Sequence, residues 1–162
     1  MKRTVPVCSI LILVAITIGC AAGPGEEQPS VSGPSVTSVL KQDDLTVSLT
    51  ANPRVLESGK GLPLTLSIRN LSKKPRTFDL TSGQTYEFIA YEKNRDEVWR
   101  WSSGMMFIQI MRSETIEAGG NKVYRVSWPT AGIKPGAYTV NGYFLGLPDL
   151  KPGVEIEIKA VE

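Results

Sequence analysis

The chain has 162 residues, 41% hydrophobic and 21% charged, which suits one globular domain with flanking segments. Its formal charge is +2, but Lys2 and Arg3 belong to the N-terminal leader; setting those two aside leaves 16 basic residues against 16 acidic ones from Cys20 onward. A neutral domain gives no electrostatic basis for a nucleic-acid partner or for adsorption to an anionic membrane surface. The count of histidines is 0, which excludes a Ser-His-Asp triad and any His-ligated metal centre.

The leader begins with the basic pair Lys2-Arg3. An apolar run from Val5 to Ile18 follows, interrupted only by Pro6, Ser9 and Thr17. This run is too short for a spanning helix of about 20 apolar residues and ends in small side chains, as an export signal does. Thr17-Ile18-Gly19-Cys20 resembles the bacterial lipobox, with Thr17 standing where that pattern usually has Leu. The resemblance implies cleavage after Gly19, so that residues 1–19 are a signal peptide. It also implies a diacylglycerol on the Cys20 sulfur and an acylated new amine. Two or more acyl chains hold a protein on a membrane, whereas one holds it marginally. The alternative is an ordinary secretory signal cut near Ala21-Ala22-Gly23. With lipidation, the expected location is the cell envelope, and the contact with the bilayer is through the lipid alone.

Residues 20–42 read as a lipidated cysteine and a flexible tether. Gly, Pro and Ser dominate and no apolar period is visible, so ordering the segment would gain little burial. Ser38-Val39-Leu40-Lys41 matches the Ser-x-x-Lys of penicillin-recognising enzymes. That motif needs a packed helix together with Ser-Asp-Asn and Lys-Thr-Gly elements, and neither element occurs in the chain. The match is assigned to chance.

From Asp43 to residue 162 the pattern is period two, the mark of half-buried strands. Leu45, Val47 and Leu49 alternate with Thr46, Ser48 and Thr50. Leu64, Leu66 and Ile68 alternate with Thr65, Ser67 and Arg69. Further strands are expected at Thr77–Leu80, Tyr86–Tyr91, Val98–Trp101, Val123–Trp128, Ala137–Leu145 and Val154–Val161. Met105–Met111 fits either a short helix or an irregular strand. Ile133-Lys134-Pro135-Gly136 and Leu150-Lys151-Pro152-Gly153 predict type II turns, with glycine at the position of positive φ. About eight or nine short strands with polar turns predict an all-β, immunoglobulin-like antiparallel β-sandwich. A jelly roll or small barrel is the alternative. The cysteines are Cys8 and Cys20, so the domain after the leader must fold without a disulfide.

Phe78-Asp79-Leu80-Thr81-Ser82-Gly83-Gln84-Thr85-Tyr86-Glu87-Phe88 is followed by Glu97-Val98-Trp99-Arg100-Trp101-Ser102, then by Phe107 and Gln109. With Leu66-Ser67-Ile68-Arg69-Asn70 before them and Pro135-Gly136-Ala137-Tyr138 after, residues 43–145 resemble the BsuPI family. The namesake of that family is a Bacillus inhibitor of an intracellular serine protease. The resemblance implies an immunoglobulin-like sandwich and proteinase inhibition. The export signal separates this chain from the namesake's cytoplasmic target, so an extracytoplasmic serine protease or another envelope protein is the expected partner. A non-enzymatic module binding an envelope protein or polysaccharide is the competing reading. The chain is expected to be monomeric.

No catalytic chemistry emerges. Phosphate-cradling, dinucleotide-binding and calcium-loop motifs are missing, and no cofactor or metal is expected. Asp43-Asp44 and the pair Glu155 and Glu157 read as solvated surface, and Asn70-Leu71-Ser72 as a polar turn. Trp99 and Trp101 suit either core packing or a stacking surface for sugar rings, with core packing favoured. An inhibitor must present a rigid exposed segment to a cleft. The loops available are Asn70–Arg76, Ser102–Met106, Trp128–Lys134 and Gly146–Pro152. Ser103, Gly104, Met105 and Met106 are preferred as the contact loop, because flexible apolar side chains beside a glycine suit a hydrophobic specificity pocket. The opposing expectation is that Met105 and Met106 cap the core beneath the loop.

Overall fold

The computed structural model describes residues 33–161, and those residues contain strands and turns with no helix. Helices long and apolar enough to cross a membrane are accordingly absent among the described residues. The signal peptide of residues 1–19, the lipid site Cys20 and the first part of the expected tether lie outside them.

Eleven strands follow in chain order: β1 (Val36–Gln42), β2 (Leu45–Ala51), β3 (Val55–Glu57), β4 (Gly61–Asn70), β5 (Arg76–Leu80), β6 (Tyr86–Glu92), β7 (Glu97–Arg100), β8 (Arg112–Ile116), β9 (Asn121–Pro129), β10 (Gly136–Phe144) and β11 (Gly153–Lys159). One sheet runs β1-β2-β4-β9, a second runs β3-β11-β10-β6-β7, and β5 pairs with β8 as a ribbon. All pairings are antiparallel except β11 with β3. The protein is an all-β sandwich.

Alternation in the sequence becomes alternation in burial. In β2 the residues Leu45, Val47, Leu49 and Ala51 are buried, and in β4 Leu62, Leu64, Leu66 and Ile68 are buried. The β2–β4 register sets Leu49 opposite Leu66 and Val47 opposite Ile68, so one face of the sheet is continuous hydrocarbon. Facing it, Phe88, Ala90, Tyr138, Val140, Phe144, Val154, Ile156 and Ile158 complete a single core. Each such aliphatic or aromatic side chain contributes about 1.5–3 kcal/mol on burial. The sheets approach closely at Gly142: a Cβ there would stand 3.0 Å from Leu66 Cδ1 and 3.3 Å from Leu49 Cδ1. Trp128 is fully buried between the rings of Trp99 and Tyr138, each with its centroid 5.7 Å away.

Three expectations are corrected. Residues 36–42 of the expected tether form edge strand β1. Val36 and Leu40 lie half-buried opposite Ala51 and Val47, and Thr37 Oγ1 lies 2.8 Å from Thr50 Oγ1. An edge strand needs only a thin apolar stripe on one face, and this one carries Ser38 between its two aliphatic residues. Ser38 and Lys41 therefore sit on a strand and not on a helix, which agrees with dismissing the Ser-x-x-Lys match. The strand count rises to eleven because β1, the three-residue β3 and the polar β8 carry almost no periodic signal. Finally, Gly136 and Gly153 each begin a strand, and neither adopts the φ of a type II turn. Gly136 at 159° is nearly extended, and at Gly153 a Cβ would press on Asn141 Oδ1 and require that side chain to shift.

Candidate functional site

Between β7 and β8 the chain leaves the second sheet and crosses to the β5–β8 ribbon. It first makes a tight turn over residues 101–104. The Trp101 amide donates to the Phe88 carbonyl at 2.9 Å, the Ser103 amide to Arg100 at 3.1 Å, and the Met105 amide to Ser102 at 3.0 Å. Gly104 takes φ of 79°, a conformation that glycine adopts without steric cost.

Beneath this turn lies Glu87, whose side chain is only 6% exposed. Its Oε1 accepts from the amides of Phe88 at 3.0 Å and Ser102 at 3.1 Å. Its Oε2 accepts from Gln84 Nε2 at 3.0 Å, from the Ser102 hydroxyl, and from Arg100 Nη1 at 3.5 Å. Burying a carboxylate is tolerable only with such a set of donors. Arg100 is held in turn by Glu97, through Nε at 3.0 Å and Nη2 at 2.6 Å. This fork lowers the Glu97 carboxyl below its ordinary pKa and raises the Arg100 guanidinium.

Residues 105–111 have no regular secondary structure, so the alternatives of short helix and irregular strand both fail. The stretch is nevertheless pinned. The Ile108 carbonyl accepts from the Gly83 amide at 2.9 Å, and the half-buried Phe107 ring lies 6.1 Å from that of Trp101. At the far end Arg112 donates to the Ser82 and Gly83 carbonyls at 3.1 and 3.3 Å, to the Thr85 hydroxyl, and to Glu114 at 3.4 Å. Held this way, the segment bares apolar side chains to water: Met105 is 46% exposed, Met106 98% and Met111 72%, with Ile108 and Ile110 exposed beside them. The expectation that Met105 and Met106 cap the core is overturned, because the Trp101 and Phe107 rings occupy the inward position.

The other loops present little. Asn70–Arg76 is organised from within by buried Asn70. Its Nδ2 donates to the carbonyls of Lys74, Ile116 and Glu117, and its Oδ1 accepts from the amide and hydroxyl of Ser72. Asn70-Leu71-Ser72 thus opens a polar turn, as expected. In the Trp128–Lys134 loop, buried Thr130 donates to the Lys60 carbonyl at 2.6 Å. Leu147 and Leu150 of the fourth loop pack against the core. Trp99 and Trp101 are half-buried, the first stacked on Trp128 and the second tilted against Tyr86, so they belong to packing and not to a sugar platform. Glu155 and Glu157 lie exposed along β11. Among the described residues no His, Cys, Asp and Glu side chains cluster with metal-ligand geometry.

A shallow concavity of about 560 Å³ lies against β6 and β10, lined by Tyr91, Tyr143, Thr139, Asn141, Lys93 and Lys151 among others. The Tyr91 and Tyr143 hydroxyls are 3.4 Å apart, and burial together with this neighbour pushes Tyr91 up to about 12. Tyr124 is also pushed up to about 12, by burial and then by the Glu114 carboxylate. A phenol whose pKa is raised keeps its proton, so Tyr91 is not an activated nucleophile.

Sequence reasoning located the turn and its methionines but stopped at Met106. It missed Ile108, Ile110 and Met111 as surface, and Glu87 and Arg112 as the braces. An acid within the apolar run Tyr86-Glu87-Phe88-Ile89-Ala90-Tyr91 was the available signal for the first brace.

The chain is thus a β-sandwich that holds an apolar segment at its surface. The BsuPI family model, described as intracellular proteinase inhibitor, matches residues 49–148. The chain belongs to that family. No curated protein matches its sequence. Among solved structures it is similar to an alkylpurine DNA glycosylase AlkC from Pseudomonas fluorescens, at 13% identity and a TM-score of 0.43, over 68% of this chain and 29% of that one. A β-glucosidase from Listeria innocua gives 14% identity and 0.43, over 70% and 16%. A CARDB domain from Pyrococcus furiosus gives 13% and 0.39, over 79% and 96%. The chain thus spans less than a third of the length of the first two.

Proposed function

We propose that this protein is a proteinase inhibitor displayed on the bacterial cell envelope through a lipid on Cys20, and that residues 102–111 are what it presents to an extracytoplasmic serine protease. Family membership supports the activity. The observation that carries the site is Met106, 98% exposed just beyond a turn locked from below by Glu87. A protease cleft accepts a segment whose ordering cost is already met, and an unbranched thioether adapts to an apolar specificity pocket. A subtilisin-like pocket fits this chemistry, whereas a pocket lined for basic side chains does not. The family description refers to intracellular inhibitors, and the export signal read at residues 1–20 is what moves the proposed target outside the cytoplasm.

The test is a panel of serine proteases assayed against the full chain, together with the double variant Met105→Asp, Met106→Asp. The expected result is strong inhibition of at least one enzyme with an apolar specificity pocket, lost in the variant while circular dichroism is unchanged. Inhibition that survives in the variant removes the segment from the mechanism. In a cell fractionation, Cys20→Ser should shift the protein from the membrane to the soluble fraction.

A further inference from the structure

Sulfur is distributed unusually in this domain. Residues 33–161 contain no cysteine, and their methionines are Met105, Met106 and Met111. None of the three is in the core, which is built from Leu, Ile, Val, Ala and aromatic residues. Methionine ordinarily fills gaps in interiors. Here all of it is gathered on one braced stretch and turned toward water. The groups that hold that stretch are the Glu87 carboxylate, the Arg112 guanidinium, the Phe107 ring and the Ile108 carbonyl, and none of them contains sulfur.

We propose that Met105, Met106 and Met111 form an oxidative modification site, at which peroxide-class oxidants convert the thioethers to sulfoxides and switch the inhibitory segment off while the domain stays folded. This rests on the inhibitory reading given above. In each step the sulfur lone pair attacks one peroxide oxygen. The O–O bond breaks, an S–O bond forms, and the proton on the sulfur-bound oxygen passes to the second oxygen, which leaves as water from hydrogen peroxide or as an alcohol from an organic hydroperoxide. The sulfur is oxidised by two electrons and the peroxide reduced by two. An adaptable apolar side chain thereby becomes a polar, chiral one. A sulfoxide placed in an apolar specificity pocket without a donor is penalised, so inhibition should weaken roughly tenfold to a hundredfold. Because susceptibility follows exposure, Met106 should react first, Met111 next and Met105 last.

The experiment treats the full chain with hydrogen peroxide, locates the added oxygens by peptide mass mapping, and measures protease inhibition and thermal unfolding on the same samples. Expected are one added oxygen on each of the three residues in that order, an unchanged unfolding midpoint, lost inhibition, and its recovery with a methionine sulfoxide reductase. The triple variant Met105→Leu, Met106→Leu, Met111→Leu should take up no oxygen, and whatever inhibition it has should be the same before and after peroxide. Methionines that resist peroxide, or oxidation that unfolds the domain, overturn the proposal. So does an oxidised chain that inhibits as well as the reduced one. A chain that inhibits nothing before treatment overturns the inhibitory reading and the switch with it. That case is distinct from a working inhibitor that is blind to oxidation.

Discussion

Strand β4 and the segment of residues 105–111 draw on the same class of side chain and treat it in opposite ways. In β4, Leu62, Leu64, Leu66 and Ile68 occupy every second position, so pairing with β2 and β9 turns all four inward at once. In the segment, Met105, Met106, Phe107 and Ile108 are consecutive. A single strand would send alternate members to opposite faces, and only one face of this sandwich has a core. The chain resolves the conflict by giving up the ladder there. Phe107 turns toward Trp101, and its neighbours stay in water. Apolar character alone therefore does not decide burial; spacing does. What remains outside needs polar anchors to stay in one place, and Glu87 and Arg112 supply them.

The strongest way to break this comparison is to cut into its buried side. Leu66 is fully buried opposite Leu49 and against Gly142. Leu66→Ala should destabilise the domain by about 3–5 kcal/mol, because the rigid second sheet cannot collapse into the vacated space. Denaturant unfolding followed by tryptophan fluorescence measures this. A loss below about 1 kcal/mol would mean that Leu66 is not packed between the two sheets.

Removing an anchor should have a smaller and more local effect. Glu87→Ala strips the Ser102 amide and hydroxyl of their Glu87 acceptor and leaves Gln84 Nε2 with the Tyr86 carbonyl alone. Leaving buried donors unpaired costs about 1–3 kcal/mol. The loss should fall mainly on the turn, since the Trp101 amide still reaches the Phe88 carbonyl from the other side. Hydrogen exchange should show faster amides at Ser102–Met105 and unchanged protection in β2 and β4. Equal acceleration in both regions would make Glu87 part of the general core and not a brace.

The two regions were also unequally legible in the sequence. Strands β2, β4 and β11 could be read directly, because strict alternation over five or more residues has only one way to bury its apolar half. Strand β8, Arg-Ser-Glu-Thr-Ile, could not, since Ile116 is its one buried residue and it depends on β5 for its hydrogen bonds. For the same reason β1 was absorbed into the tether. At the site, the glycine turn and two methionines were visible as chemistry. The bracing was not, because Glu87 meets Ser102 across 15 residues and Arg112 meets Ser82 across 30. Such pairings follow from how β6, β7 and the ribbon are laid side by side, and no local pattern contains that information.

The smallest expected effect is the sharpest test of the exposed side. Met106 is of similar size to Leu66, yet its side chain has almost no protein around it. Met106→Ala removes no packed contact and opens no cavity, so the transfer and cavity terms that make Leu66→Ala expensive both vanish. Unfolding free energy should change by less than about 0.5 kcal/mol in either direction. A protein that keeps so large an apolar side chain in water gains nothing from it in the folded monomer. If Met106→Ala proves strongly destabilising, the residue is packed within the free domain, and the segment is a piece of the core instead of a surface held ready for a partner.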